Sequence, residues 1–176
     1  MLTIKRFNTL SKELLAALVD LYQEAYRDDP TYAYRERKRI KSYLKWLLRH
    51  ARGGFFVAFE KEKPVGFLAL EEMAPAPEIH EIVVLPEFKG QHLAEKLMAE
   101  ALSYLQAKGY SRVALWVGEH NLRAQRFYEK FGFKKIGKDG IWIRMEKNLQ
   151  EKDLTSSHKT AKASSTSERE MVSSGV

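Results

Sequence analysis

The stretch EIHEIVVLPEFKGQHLA, residues 78–94, gathers side chains able to do chemistry where an apolar run gives way to a helical pattern. Residues 78–85 read as a strand ending at Pro86, and Leu93, Leu97, Ala101, Leu102 and Leu105 then fall on one helical face. Lys89-Gly90-Gln91-His92 joins the two. The first amides of a helix lack internal partners and sit at its positive end, so a pyrophosphate can rest there. Gly90 would let the backbone approach such a group and Lys89 would add charge. The same pattern also describes an ordinary helix start. Glu78 and His80 lie two residues apart, hence on one strand face, with Glu81 on the other. A carboxylate beside an imidazole can raise its basicity, which makes the pair a candidate for taking a proton. Glu78 can equally be a solvated strand start after Ala76-Pro77, and His80 a packed histidine. Further on, Tyr128 shares a stripe with Ala124 and Phe131. A phenol with an ordinary pKa of about 10 is protonated at neutral pH and can donate, but the stripe also suits a core residue.

These residues need a frame. Residues 2–7 alternate apolar and polar as a short strand, and Ser11 can cap a helix carrying Leu14, Leu18, Leu21, Tyr22 and Ala25. Asp29-Pro30 ends that helix. A second helix is predicted over 35–51, followed by Gly53-Gly54 and a hairpin of 55–59 with 65–70. Gly109 stops the long helix. Residues 112–117 form a strand, Asn121 caps a short helix, and strands near 133–136 and 141–147 close the unit. The order β, α, α, β, β, β, α, β, α, β, β predicts an α/β (α+β) mixed sheet with helices on both faces. Residues 1–149 are expected to form one domain. Residues 150–176, rich in Ser, Thr and Lys, cannot bury enough apolar area to offset their ordering entropy. They read as a disordered tail whose removal leaves activity unchanged.

Composition narrows the classes. The chain has 176 residues, 44% hydrophobic and 30% charged, as in a globular domain. No apolar run approaches the ~20 residues of a membrane span, and the start lacks a secretory signal, so a cytoplasmic location is expected. There is no cysteine, which removes disulfides, thiolate zinc sites and a cysteine-bound acyl intermediate. No metal is expected. A net charge of +7 favours polyanions, either nucleic acid or a nucleotide cofactor.

VLPEFKGQHLAEKLM, residues 84–98, resembles motif A of the Gcn5-related N-acetyltransferase (GNAT) family, whose cofactor loop reads Q/R-x-x-G-x-G/A. Lys89 stands at the Q/R position, Gly90 and Gln91 follow, His92 takes the first glycine position, Leu93 the next, and Ala94 the final one. NLRAQRFYEKFGF, residues 121–133, resembles motif B of the same family. The resemblance implies a sheet of about seven mostly antiparallel strands, flanked by about four helices and splayed at the cofactor. It implies acetyl-CoA as co-substrate and a primary amine, small-molecule or protein, as acceptor in a ternary complex. Glu78 and His80 fall where branches of the family carry a base. The backbone of Ile82, Val83 and Val84 would face the cofactor, Asn121 the pantetheine arm, and Tyr128 the sulfur. Lys89 keeps charge but gives up planar multidentate bonding. His92 sets a side chain where glycine admits a phosphate; it is sterically allowed if already helical, and its ring could donate to the phosphate or crowd the loop.

Residues 26–34, YRDDPTYAY, border the acceptor in this family and suit a cationic amine, or else merely punctuate the helices with Asp29 as a cap. The second helix carries Arg35, Arg37, Lys38, Arg39, Lys41, Lys45, Arg49 and Arg52 against Glu36 alone. That face is solvated or meets an acidic partner; without alternating aromatics, nucleic acid is disfavoured. A homodimer is compatible with this reading. A noncatalytic acyl-CoA-binding module, suggested by His92, and a basic nucleic-acid-binding domain, suggested by charge, are the alternatives.

Overall fold

The computed structural model describes residues 1–72, 76–150 and the backbone of 174–175. Its elements are β1 (Leu2–Arg6), α1 (Lys12–Ala25), α2 (Arg37–Ala51), β2 (Phe55–Glu60), β3 (Lys63–Glu71) and β4 (Glu78–Val84). A 3-10 helix (Pro86–Gln91) leads to α3 (Leu93–Ala107), β5 (Arg112–Gly118), α4 (Leu122–Lys130), β6 (Lys134–Asp139) and β7 (Trp142–Asn148). Two further residues, β8 (Ser174–Gly175), also pair into the sheet.

Local chemistry explains the helix limits. The Ser11 hydroxyl accepts from the Leu14 amide at 3.0 Å and opens α1. Leu15, Leu18, Val19, Leu21 and Tyr22 bury one face of it. α2 starts at Arg37, two residues later than its apolar stripe predicts, with Glu36 at the cap position making no capping bond. It ends where Arg52 and Gly53 take positive φ, 47° and 96°.

The sheet order is β1-β2-β3-β4-β5-β7-β6. The β1–β4 meander is antiparallel, and so are β5, β7 and β6. β7 inserts beside β5, so β6 becomes the outer strand, and all its residues are exposed. The two halves are joined through α3 by parallel β4 and β5, which pair only at Glu78↔Ala114. Beyond that point the strands part. β8 runs parallel to β4 in register Ile82↔Ser174 and Val83↔Gly175. The tail expected to be disordered otherwise lies outside the described residues.

α1 and α2 pack together on β3, while α3 packs on β2, β3 and β4. Gly66 marks the α3 face: a Cβ there would lie 3.3 Å from both Leu93 and Leu97. The core runs through Leu18, Ile40, Leu44, Phe55, Phe67, Leu97 and Leu105, all fully buried. Burying one such side chain contributes about 1.5–3 kcal/mol. No helix among the described residues is long and apolar enough to cross a membrane.

Candidate active site

β4 carries the site on its two aspects, one a side-chain face and the other a backbone edge. The side-chain face depends on a β-bulge. β3 and β4 pair Ala69↔Glu81 and then Leu70↔Ile79, leaving His80 as the extra residue. Simple alternation places Glu81 opposite His80; the bulge brings both to the α1–α2 face. The His80 ring lies 6.2 Å from Tyr43 and 5.0 Å from Trp46, centroid to centroid. Glu81 accepts from the same Tyr43 hydroxyl at 2.6 Å and from Tyr26 at 2.5 Å. Burial, and then the Glu81 charge, push the Tyr43 phenol well above its ordinary value, so it remains a donor. Both Glu81 oxygens are thus held by phenols.

Glu78 and His80 share that face with Glu71 of β3. One donor atom from each of the three lies within 4.8 Å of the others, and all three are buried. His80 Nδ1 is 3.4 Å from Glu71 Oε1, and the side chain is 2% exposed. Arg144 of β7 donates to Glu78 at 2.6 Å while its guanidinium lies 4.8 Å over the Trp116 ring. Three such donors could in principle take a cation, but a guanidinium already holds Glu78. The chemistry available is proton transfer at an imidazole flanked by carboxylates. Glu71, Arg144 and Trp46 were missed by sequence reasoning because they come from β3, β7 and α2, and nothing local ties them to β4.

The backbone edge of β4 faces the gap opened by β5. Ile82, Val83 and Val84 are fully buried there. At the mouth of the gap lies a cleft of about 390 Å³, lined among others by Val84, Lys89, Ala94, Arg123, Arg126 and Lys130. Its cations face the start of α3, where Lys96 makes the first helical bond, to His92, at 3.1 Å. The amides of the first turn are therefore available to an anion. Desolvation, followed by the charge of Arg123, lowers the Lys89 pKa, and Asp29 and Asp28 act the other way. A phosphate would relieve that crowding of positive charge. Arg123, Arg126 and Lys130 recur at three and four residues on α4, opposite Ala124 and Tyr128. That spacing was the signal by which the sequence could have shown them.

Other predicted residues take definite places. His92 is not helical: it sits at φ 59°, ψ 27°, the left-handed region that favours glycine. Its exposed ring lies 3.5 Å from Glu95. Gly90 has an ordinary φ and open space around it. Gln91 turns back to the Glu87 carbonyl at 3.4 Å, and the Leu93 side chain goes into the core. Asn121 caps α4 through the Ala124 amide at 3.2 Å. Tyr128 is 3% exposed, edge-on to Phe127 and Phe133. Asp29 does not cap α2; it accepts from the Thr31 hydroxyl at 2.9 Å. The 26–34 connection is held at Gly118, where a Cβ would lie 2.6 Å from the Tyr32 oxygen.

The fold that carries this geometry is shared with known proteins. The family model described as Acetyltransferase (GNAT) family matches residues 15–133. The chain belongs to the GNAT family. An uncharacterized N-acetyltransferase of Archaeoglobus fulgidus is 40% identical over 124 residues, covering 66% of this chain and 84% of the relative. One from Methanocaldococcus jannaschii is 36% identical over 147 residues, covering 80% of this chain but 65% of the relative's length. The crystal structure of a PaiA N-acetyltransferase from Thermoplasma acidophilum with coenzyme A superposes with TM-score 0.72 at 26% identity, covering 84% of this chain and 99% of that one. This GNAT protein is an acetyl-CoA-dependent acyltransferase. The split between β4 and β5 and the basic cleft at α3 fit the coenzyme by shape and charge.

Two outcomes follow. His92→Gly removes a side chain from a left-handed position and should stabilise the fold by about 1 kcal/mol, read as a higher Tm. Acetyl-CoA affinity by calorimetry should hold or improve, and a collapse would identify the ring as a ligand. Because β8 lies on the β4 edge that the coenzyme reading uses, deleting residues 151–176 should tighten acetyl-CoA binding by roughly 2- to 10-fold, through removal of a competitor. Unchanged affinity would show that β8 and the coenzyme do not compete.

Proposed function

We propose that this GNAT protein transfers the acetyl group of acetyl-CoA directly to a primary amine in a ternary complex. His80 takes the proton of the amine, directly or through one water, and Glu71 orients the imidazole. Glu78, held by Arg144, adds negative charge beside the incoming ammonium. The amine nitrogen bonds to the acetyl carbon and the carbon–sulfur bond breaks. The Val84 amide, with those of Ile82 and Val83, faces the thioester oxygen as it gains charge. The Tyr128 hydroxyl protonates the departing sulfur. Lys89, the first turn of α3 with Gly90, Gln91, His92, Leu93 and Ala94 around it, and the α4 cations hold the phosphates, and Asn121 lies along the pantetheine path.

One observation carries this reading. A single strand has a parted backbone edge leading from a basic cleft and, earlier on the same strand, an imidazole beside buried carboxylates. The lack of cysteine also favours direct transfer over a thiol-bound acyl group.

The basic test is incubation with labelled acetyl-CoA and a panel of amines and peptides; coenzyme binding without turnover on any of them would overturn the reading. Within it, His80→Gln should lower kcat by about 10²- to 10⁴-fold and flatten the limb on which rate rises with pH. An intact limb would move the proton to another group. Tyr128→Phe should lower turnover while the Kd for acetyl-CoA stays nearly constant, and unchanged turnover would remove its role as the acid.

A further inference from the structure

The acceptor side of the molecule has an unusual division of charge. Its floor is built of carboxylates: Glu71, Glu78 and Glu81 are all buried, and Arg144 is bonded to Glu78. Its rim is basic. A groove of about 470 Å³ lies over the first half of α2, walled by Tyr34, Tyr43 and Trp46 and edged by Lys38, Arg39 and Ser42.

Groove and floor adjoin, because the same two side chains touch both. The Tyr43 ring walls the groove while its hydroxyl reaches Glu81 at 2.6 Å. Trp46 walls the groove and lies 5.0 Å from the His80 ring. The groove therefore lies one aromatic side chain from the imidazole.

The cations of the rim are not spent on the protein itself. Arg37 points away from the groove, to Asp20 at 2.9 Å and Gln23 at 2.7 Å. Lys38, Arg39, Lys41, Lys45 and Arg49 have no carboxylate within ion-pair distance among the described residues. Arg39 instead lies 5.4 Å over the Tyr34 ring, a planar cation presented flat at the groove edge. Among the described residues Glu36 is the one acidic group lining the groove.

Acidic floor and basic rim fit an acceptor of matching polarity, with an ammonium at its tip and carboxylates behind it. We propose that the acceptor is a polypeptide whose reactive amine is flanked by acidic residues, which lie on Lys38 and Arg39 while the amine enters beside His80. The proposal rests on amine acetylation at His80 and names the class of amine. It also disfavours polyamines: their remaining ammonium groups would meet the rim, and like charges a few ångströms apart repel. Nucleic acid fits less well. Tyr43 is buried and one face of the Trp46 ring is covered by His50 at 4.0 Å, so the groove is a poor stacking platform.

The test uses the full chain and acetyl-CoA with matched peptides of one length bearing a single amine, either N-terminal or lysine. Neighbouring residues are Asp/Glu, Asn/Gln or Lys/Arg, and spermidine serves as the cationic probe. The acidic series should exceed its amide counterpart by on the order of tenfold in kcat/KM, carried by KM and shrinking as salt rises from ~50 to ~500 mM. Lys38→Glu with Arg39→Glu, both exposed, should abolish or invert that preference. Acetyl-CoA affinity and turnover of a small neutral-bodied amine should not change in that variant. Equal or better use of spermidine or the basic peptides would overturn the proposal, as would a preference that survives the double charge reversal or duplex DNA displacing the acidic peptide. If amines are acetylated without regard to flanking charge, only the acidic-acceptor inference fails. If none is acetylated, the amine-transfer reading fails with it.

Discussion

A stretch of buried backbone from which β5 parts governs this protein. β4 and β5 share one pairing position, at Glu78 and Ala114, and then separate, although Ile82, Val83 and Val84 are fully buried. A buried amide without a partner costs about 1–3 kcal/mol, so the parted edge demands something to bond. An extended ligand carrying amides can meet that demand, as can a peptide strand. β8 supplies such a strand beside Ile82 and Val83. The cost of opening the sheet is thus tied to occupancy of the gap.

The other consequence of β4 is directional. A regular strand would show His80 and Glu81 to opposite faces. The bulge turns both toward α2, where Tyr43 touches each of them. Glu81 is clasped by two phenols and anchors α1 and α2 to the sheet. His80 is left beside Glu71, with Nδ1 3.4 Å from Oε1. One inserted residue therefore sets a carboxylate held by two phenols beside an imidazole that neighbours Glu71.

At the opposite end of the gap the basic cleft is assembled from pieces distant in sequence. Lys89 comes from the loop, the open amides from α3, and Arg123, Arg126 and Lys130 from α4. His92 keeps the left-handed backbone that links the 3-10 helix to α3, which is the conformational role a glycine would otherwise fill. The loop thus retains its path despite the larger side chain. Its ring is exposed, so the added bulk stays clear of the core.

Much of the fold was already readable in the chain. Apolar spacing predicted the order of the elements, and the terminators at Pro30, Gly53, Pro86, Gly109 and Gly132 placed their ends within a few residues. The two motifs pointed to the strand, loop and helices of the site, because phosphate-binding amides and helix faces are local properties. Tertiary structure decided what depends on neighbours remote in sequence. It set the pairing of Glu71 with His80, of Arg144 with Glu78, and the bulge that overrides alternation at Glu81. A bulge arises from the mismatch between two strands, and charge separation across a groove arises from packing a helix on a sheet. Neither exists until distant segments meet.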